Sequence, residues 1–149
     1  MIASWSGHPI ALGKEPGTLR IKIPGLTVMS SFLDLQDPWE VRTEEVEVRR
    51  LDELFPSLMA NAAAPKVFLK MDTQGYDLNV FQGAEGCINE IRGLVSEISV
   101  RPLYKNQPHY LESLGTYERA GFDLYHLSVV NRESGGGLQE LNAYLKRRR

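Results

Sequence analysis

Two carboxylates mark the part of this chain best suited to chemistry. Asp72 ends the mostly apolar run VFLKM and opens the polar stretch DTQGYD at 72–77, while Glu97 interrupts LVSEISV at 94–100. An acid in an apolar strand is costly unless it is paired, protonated or used. Each therefore has two readings. Asp72 is either a rim group that meets a ligand or a binder of the free N–H groups of the following helix, a role equally open to Asp77. Glu97 is either a proton acceptor or the buried partner of Lys70 on the neighbouring strand. Gly75 lets the backbone turn closely at this rim with or without a ligand. His109 lies after the Glu97 strand, where a histidine can act as a base. Ser30 and Ser31 have a loose claim to a substrate contact, and Trp5, Trp39 and Tyr104 read as packing or rim aromatics.

Other chemistries find no support. The three histidines have no metal-ligand spacing, so no metal site is predicted, and Cys87 stands alone, without a disulfide framework. No GxSxG, HExxH, P-loop or GxGxxG occurs.

These residues need a scaffold. At 149 residues, 16.8 kDa and 42% hydrophobic the chain fits one domain with a real core. Its net charge of −2 gives no basic stripe for nucleic acid, and the basic cluster Lys146–Arg149 reads as a solvated tail. There is no signal-peptide pattern and no run near the roughly 18 apolar residues of a membrane helix, so a cytoplasmic protein without a membrane partner is expected.

TLRIKI at 18–23 alternates like a half-buried strand, with PIALG at 9–13 as its expected hairpin partner across the Glu15-Pro16-Gly17 turn. EEVEVRR at 44–50 is a further strand, and 24–43 reads as loop. A helix is predicted over 52–60 despite Pro56, then a connection at 61–65 and the strand at 67–71. A helical pattern over 77–91 should break near Gln82-Gly83, since a glycine costs about 1 kcal/mol in a helix interior. Next come the 94–100 strand, a helix over 107–120 capped by Asn106, Gly121 as its left-handed stop, and a strand at 122–130. LQELNAYLKR at 138–147 is ambiguous, since Leu138, Leu141 and Leu145 could also mark a helix, but the glycine turn at 135–137 favours a last strand and a terminal β-hairpin. Strand–helix–strand alternation implies an α/β fold with parallel strands, whose carboxyl ends form the binding rim.

LKMDTQGYDLNVFQGAE at 69–85 resembles the core motif of FkbM-type methyltransferases, and so, in the family's order, do ALGKEPGTLRI at 11–21, MSSFL at 29–33, VEVRRLDEL at 46–54, LVSEISVRPLY at 94–104 and AGFDL at 120–124. The resemblance implies a Rossmann-like class I methyltransferase sheet of order 3-2-1-4-5-7-6, with 67–71 as strand four and 94–100 as strand five. The glycine-rich cofactor loop and the ribose-binding acid have no counterpart, so a single partial domain over 1–149, truncated in its N-terminal half, is expected. Asn142 stands where the family often carries an acid. The implied cofactor is S-adenosyl-L-methionine. Asp72, Gln74 and Gly75 would line its methionine end, Ala11 and Leu12 its adenine. Asp72, Glu97 and His109 are the catalytic candidates, with Glu97 or His109 taking the proton of a small-molecule or glycan hydroxyl. The unpaired edge of strand four calls for a homodimer or a partner chain. The rival reading is a non-catalytic interaction module left from such an enzyme.

Overall fold

The computed structural model describes residues 5–37, 40–60 and 65–149, so Trp39 and most of the connection at 61–65 lie outside the described residues. Among the described residues there are two sheets, three short α-helices and two 3-10 segments. In the first sheet β2 (Gly17–Pro24) pairs antiparallel with β3 (Val41–Arg49), from Gly17 opposite Val48 to Pro24 opposite Val41. The strand β1 (Ala11–Leu12) runs parallel to β3 on its other side, giving the order β1-β3-β2. The expected hairpin of 9–13 with 18–23 is therefore corrected. The Glu15-Pro16-Gly17 turn does reverse the chain, but β3 lies between the two arms. Gly13 explains the choice: its N–H donates to the Arg49 carbonyl at 3.0 Å, and a β-carbon there would sit 2.8 Å from Val48 Cγ1. Close backbone approach fixes this segment against β3.

The second sheet has the order β4-β5-β7-β6, built from β4 (Val67–Met71), β5 (Ile91–Ser99), β6 (Phe122–Arg132) and β7 (Leu138–Arg147). As expected, β4 and β5 are parallel, and β6 and β7 form the antiparallel terminal hairpin. This is the four, five, seven, six run of the sheet order given above. The basic cluster is not a frayed tail: Lys146 and Arg147 belong to β7, and Arg147 stacks on Phe122 at 4.3 Å.

Helices cover one face of this sheet. The first, α1 (Leu51–Met59), carries Pro56 inside it. The second, α2 (Asp77–Gln82), ends where the sequence predicts a break, and a 3-10 segment, Glu85–Glu90, follows. The cause is contact as well as propensity, since a β-carbon on Gly83 would meet the Gly13 carbonyl oxygen at 2.1 Å. The third, α3 (Tyr110–Arg119), starts later than expected. His109, not Asn106, occupies its N-cap position, while Asn106 takes φ +61° in the loop before it. Met71, Leu94, Ile98, Leu141, Ala143 and Leu145 of the sheet pack on Leu78, Phe81, Tyr117 and Phe122. The other face is more open: Phe68 on the edge strand β4 is 58% exposed.

Candidate functional site

The carboxyl ends of β4 and β5 meet the loops around residues 29–35 and 101–109. Asp72 leaves the end of β4 as an exposed side chain, with Lys70 Nζ 2.9 Å from Oδ2. Lys70 is thus the partner of Asp72, and the expected Lys70–Glu97 pair is not formed. Nor does Asp72 bind the helix that follows.

The internal acid is Asp77, buried at the start of α2. It accepts hydrogen bonds from the Thr73 N–H (3.0 Å), the Thr73 hydroxyl, the Ser96 hydroxyl (2.7 Å) and the Glu97 N–H (3.1 Å). Ser96 continues to the Tyr117 hydroxyl at 2.8 Å. Asp77 therefore ties the turn after β4 to the backbone of β5 and sets the spacing of the rim. Hydrogen bonds to a carboxylate are shorter and stronger than those between neutral groups.

The turn between the two acids is left-handed twice. Gln74 has φ +50° and Gly75 +86°. A β-carbon at Gly75 would stand 2.9 Å from Gln107 Cγ, and Gln107 has no freedom to retreat. Its Oε1 accepts from the Leu103 and Tyr104 N–H groups at 2.8 and 3.1 Å, and its Nε2 donates to Ser99 Oγ at 2.6 Å. Conformation and contact both demand glycine here. The close approach that Gly75 permits is to Gln107.

Gln74 is the hub. Its Nε2 reaches Glu97 Oε1 at 3.4 Å, its Oε1 faces the Tyr104 hydroxyl at 3.0 Å, and its carbonyl accepts from Ser31 Oγ at 2.8 Å. Glu97 is half-buried among like charges. Desolvation, then Glu140, Asp72 and Asp77, push its carboxyl up to about 7. Burial likewise raises the Tyr104 phenol to about 12. Such a carboxyl is poised to take or give a proton near neutrality.

The remaining candidates lie further out. His109 is exposed, its ring 4.5 Å from that of Tyr110, with no contact to Glu97 among the described hydrogen bonds. Ala11 and Leu12 are half-buried on β1, and a β-carbon on the following Gly13 would lie 3.4 Å from the Tyr76 ring. Ser31 is buried and structural, bridging Gln74 and the Leu33 N–H. Trp5 is 90% exposed.

The crevice bounded by Gly75, Asp77, Glu97, Gln107 and Pro108 holds about 10 Å³, room for about one water. The crevice is too small for anything larger, and Asp72 is exposed on the rim outside it. A cleft of about 590 Å³ between Lys14, Arg50, Phe81, Gln82 and Arg119 is lined by neither Asp72 nor Glu97. No three His, Cys, Asp or Glu side chains come together as metal ligands among the described residues, and no helix there is long and apolar enough to cross a membrane.

Sequence reasoning missed Gln107 and Glu140 as members of the site and named Tyr104 only as a packing or rim aromatic. Gln107 and Tyr104 sit in a loop whose path no periodicity marks, and Glu140 is brought in by strand register.

No curated protein and no solved structure matches the chain. A family model, the methyltransferase FkbM domain, matches residues 4–124, which include both acids, the turn between them and the first sheet. The chain belongs to the FkbM methyltransferase family.

Proposed function

We propose that this chain works as an S-adenosyl-L-methionine-dependent methyltransferase that acts on a hydroxyl group of a sugar, glycan or secondary metabolite. The observation that supports this most strongly is the division of labour between two acids at the ends of adjacent parallel strands. Asp72 is exposed and paired with Lys70, whereas burial and neighbouring acids push the Glu97 carboxyl up to about 7.

Asp72 fits the cofactor's ammonium group, being the rim carboxylate that faces solvent. When bound, S-adenosylmethionine supplies an electrophilic methyl group on a positively charged sulfur. The protein's part is orientation and proton removal. Gln74 holds Glu97 in place through its Nε2. Glu97 accepts the hydroxyl proton of the acceptor as its oxygen becomes nucleophilic. Ala11 and Leu12 stand at the adenine end, beside Tyr76. His109 is the weaker base, because no contact orients its ring towards the acids.

The uncovered edge of β4 supports a second element of the reading. Phe68, 58% exposed there, is suited to burial under a second copy of the chain or a partner. The protein is expected to transfer labelled methyl groups from S-adenosylmethionine to a panel of sugar and phenolic hydroxyls, with Glu97→Gln reducing the rate at least about 100-fold. Equal rates for wild type and Glu97→Gln would remove Glu97 from the mechanism. Absence of transfer to every acceptor, together with stable self-association, would favour the interaction-module reading.

A further inference from the structure

The hydrogen bonds around Gln74 are one proton short while Glu97 is charged. The Tyr104 hydroxyl stands 3.0 Å from the Met29 carbonyl oxygen and 3.0 Å from Gln74 Oε1. Both neighbours are acceptors, and a phenol has one proton to give. Tyr104 is 1% exposed, and burial raises its phenol to about 12, so it keeps that proton at neutral pH. No other donor reaches the Met29 carbonyl among the described hydrogen bonds. At the far end of the same amide, Gln74 Nε2 donates to Glu97 Oε1 at 3.4 Å. With Glu97 ionised, either the Met29 carbonyl or Gln74 Oε1 is therefore left without a donor.

A half-turn of the Gln74 amide removes the deficit. Its oxygen and nitrogen exchange places in that turn with little change in shape. Gln74 Nε2 then donates to the Tyr104 oxygen, Tyr104 donates to Met29, and Gln74 Oε1 faces Glu97. Two acceptors would meet there unless Glu97 carries a proton and donates it. The arrangement that satisfies every group thus belongs to protonated Glu97. The charges around Glu97 act in the same direction. Asp72 at the end of β4, Asp77 of α2 and Glu140 on the same face of β7 are acids. Lys70 of β4 is exposed and bonded to Asp72. From α3 and the loop before it, Ser113, Pro108 and Gln107 present no charge.

We propose that Tyr104 is a positioning residue that acts on Glu97 through Gln74: the Met29–Tyr104–Gln74 chain turns the amide over when Glu97 gains a proton and steadies the protonated acid. When Glu97 takes the proton of an acceptor hydroxyl, the acceptor oxygen keeps its electron pair and the carboxylate becomes a neutral acid. Gln74 then changes from donor to acceptor towards it, and Tyr104 directs its own proton to Met29. The base is thereby helped to hold the proton it has taken. This bearing on catalysis rests on Glu97 being the base, as proposed above.

The test is an NMR titration of the full chain from about pH 4 to about pH 9, with labelled glutamate carboxyls and glutamine side-chain amides. The glutamate signal that Glu97→Gln removes is expected to titrate near 7. The Gln74 amide signals should move with the same midpoint. Tyr104→Phe should lower that midpoint by about one unit, a tenfold fall in proton affinity, because it removes a bond that only the protonated form completes. Loss of a polar group alone would raise a carboxyl midpoint, so the sign is informative. Ser31→Ala removes the hydroxyl bound to the Gln74 carbonyl and loosens the same turn without changing the proton count, so it should leave the midpoint in place. Gln74 amide signals that stay still while Glu97 titrates overturn the proposal, whether or not Tyr104→Phe folds. An ordinary Glu97 midpoint of about 4.3 overturns it too. So does a Tyr104→Phe midpoint that is unmoved or raised, or one that Ser31→Ala lowers equally. The titration needs neither cofactor nor acceptor, so its failure is distinct from an absence of methyl transfer.

Discussion

Asp77 holds the turn after β4 to β5 through bonds from Thr73, Ser96 and the Glu97 N–H, so the position of Glu97 depends on a buried acid. Asp77→Ala would leave buried donors on two elements unpaired. Each such loss costs roughly 1–3 kcal/mol. The expected destabilisation is about 3 kcal/mol or more, read as a fall in the denaturant midpoint, and a loss under 1 kcal/mol (about the cost of a surface change) would contradict this role. At this scale the sequence reveals part of the site. Asp72 and Glu97 stand out because charge in an apolar strand demands a reason. Asp77 presents itself only as one of two acids near a helix start, since nothing local shows that its bonds reach across to β5. Glu140 gives no local signal, being one polar position in an alternating strand, and only the β5–β7 register places it beside Glu97.

Elements are legible where the local pattern and the tertiary demand agree. VFLKM is apolar enough to be a strand wherever it lies, and the glycine turn at 135–137 correctly favours a hairpin over the helix that Leu138, Leu141 and Leu145 also allow. The break at Gly83 follows both from helix propensity and from the contact with Gly13. The pairing of 11–12 is a different case. A two-residue strand carries no register information, and the Glu15-Pro16-Gly17 turn looks like a hairpin turn although β3 occupies the place between its arms. The open flank of β4 also belongs to this scale. Phe68 contributes little to the fold and much exposed apolar area. Phe68→Asp should therefore change stability by no more than about 0.5 kcal/mol. In sedimentation it should convert a self-associating wild type into a monomer, and a wild type that stays monomeric at all concentrations contradicts a homodimer on this edge.

For the whole molecule, the two sheets do different work. The four-stranded sheet carries both acids and the buried core. The three-stranded sheet brings β1 against Tyr76 and, through the strand–loop segment at Ser31, supports Gln74 from above. The motif resemblance foresees the order of the larger sheet, because the family's connectivity leaves the chain one way to arrange strands separated by α2 and α3. It foresees less of the loops at 29–35 and 101–109. Their hydrogen bonds to Gln74 and Ser99 decide how open the rim is, and those arise from side chains with no periodic signature. The central claim is that Asp72 presents its carboxylate to S-adenosylmethionine at that rim. Isothermal titration calorimetry of the chain and of Asp72→Ala tests it directly. Binding by the wild type that weakens at least tenfold in the variant, about 1.4 kcal/mol, is the result expected. Equal affinity in the two proteins, or no binding by either, would contradict it.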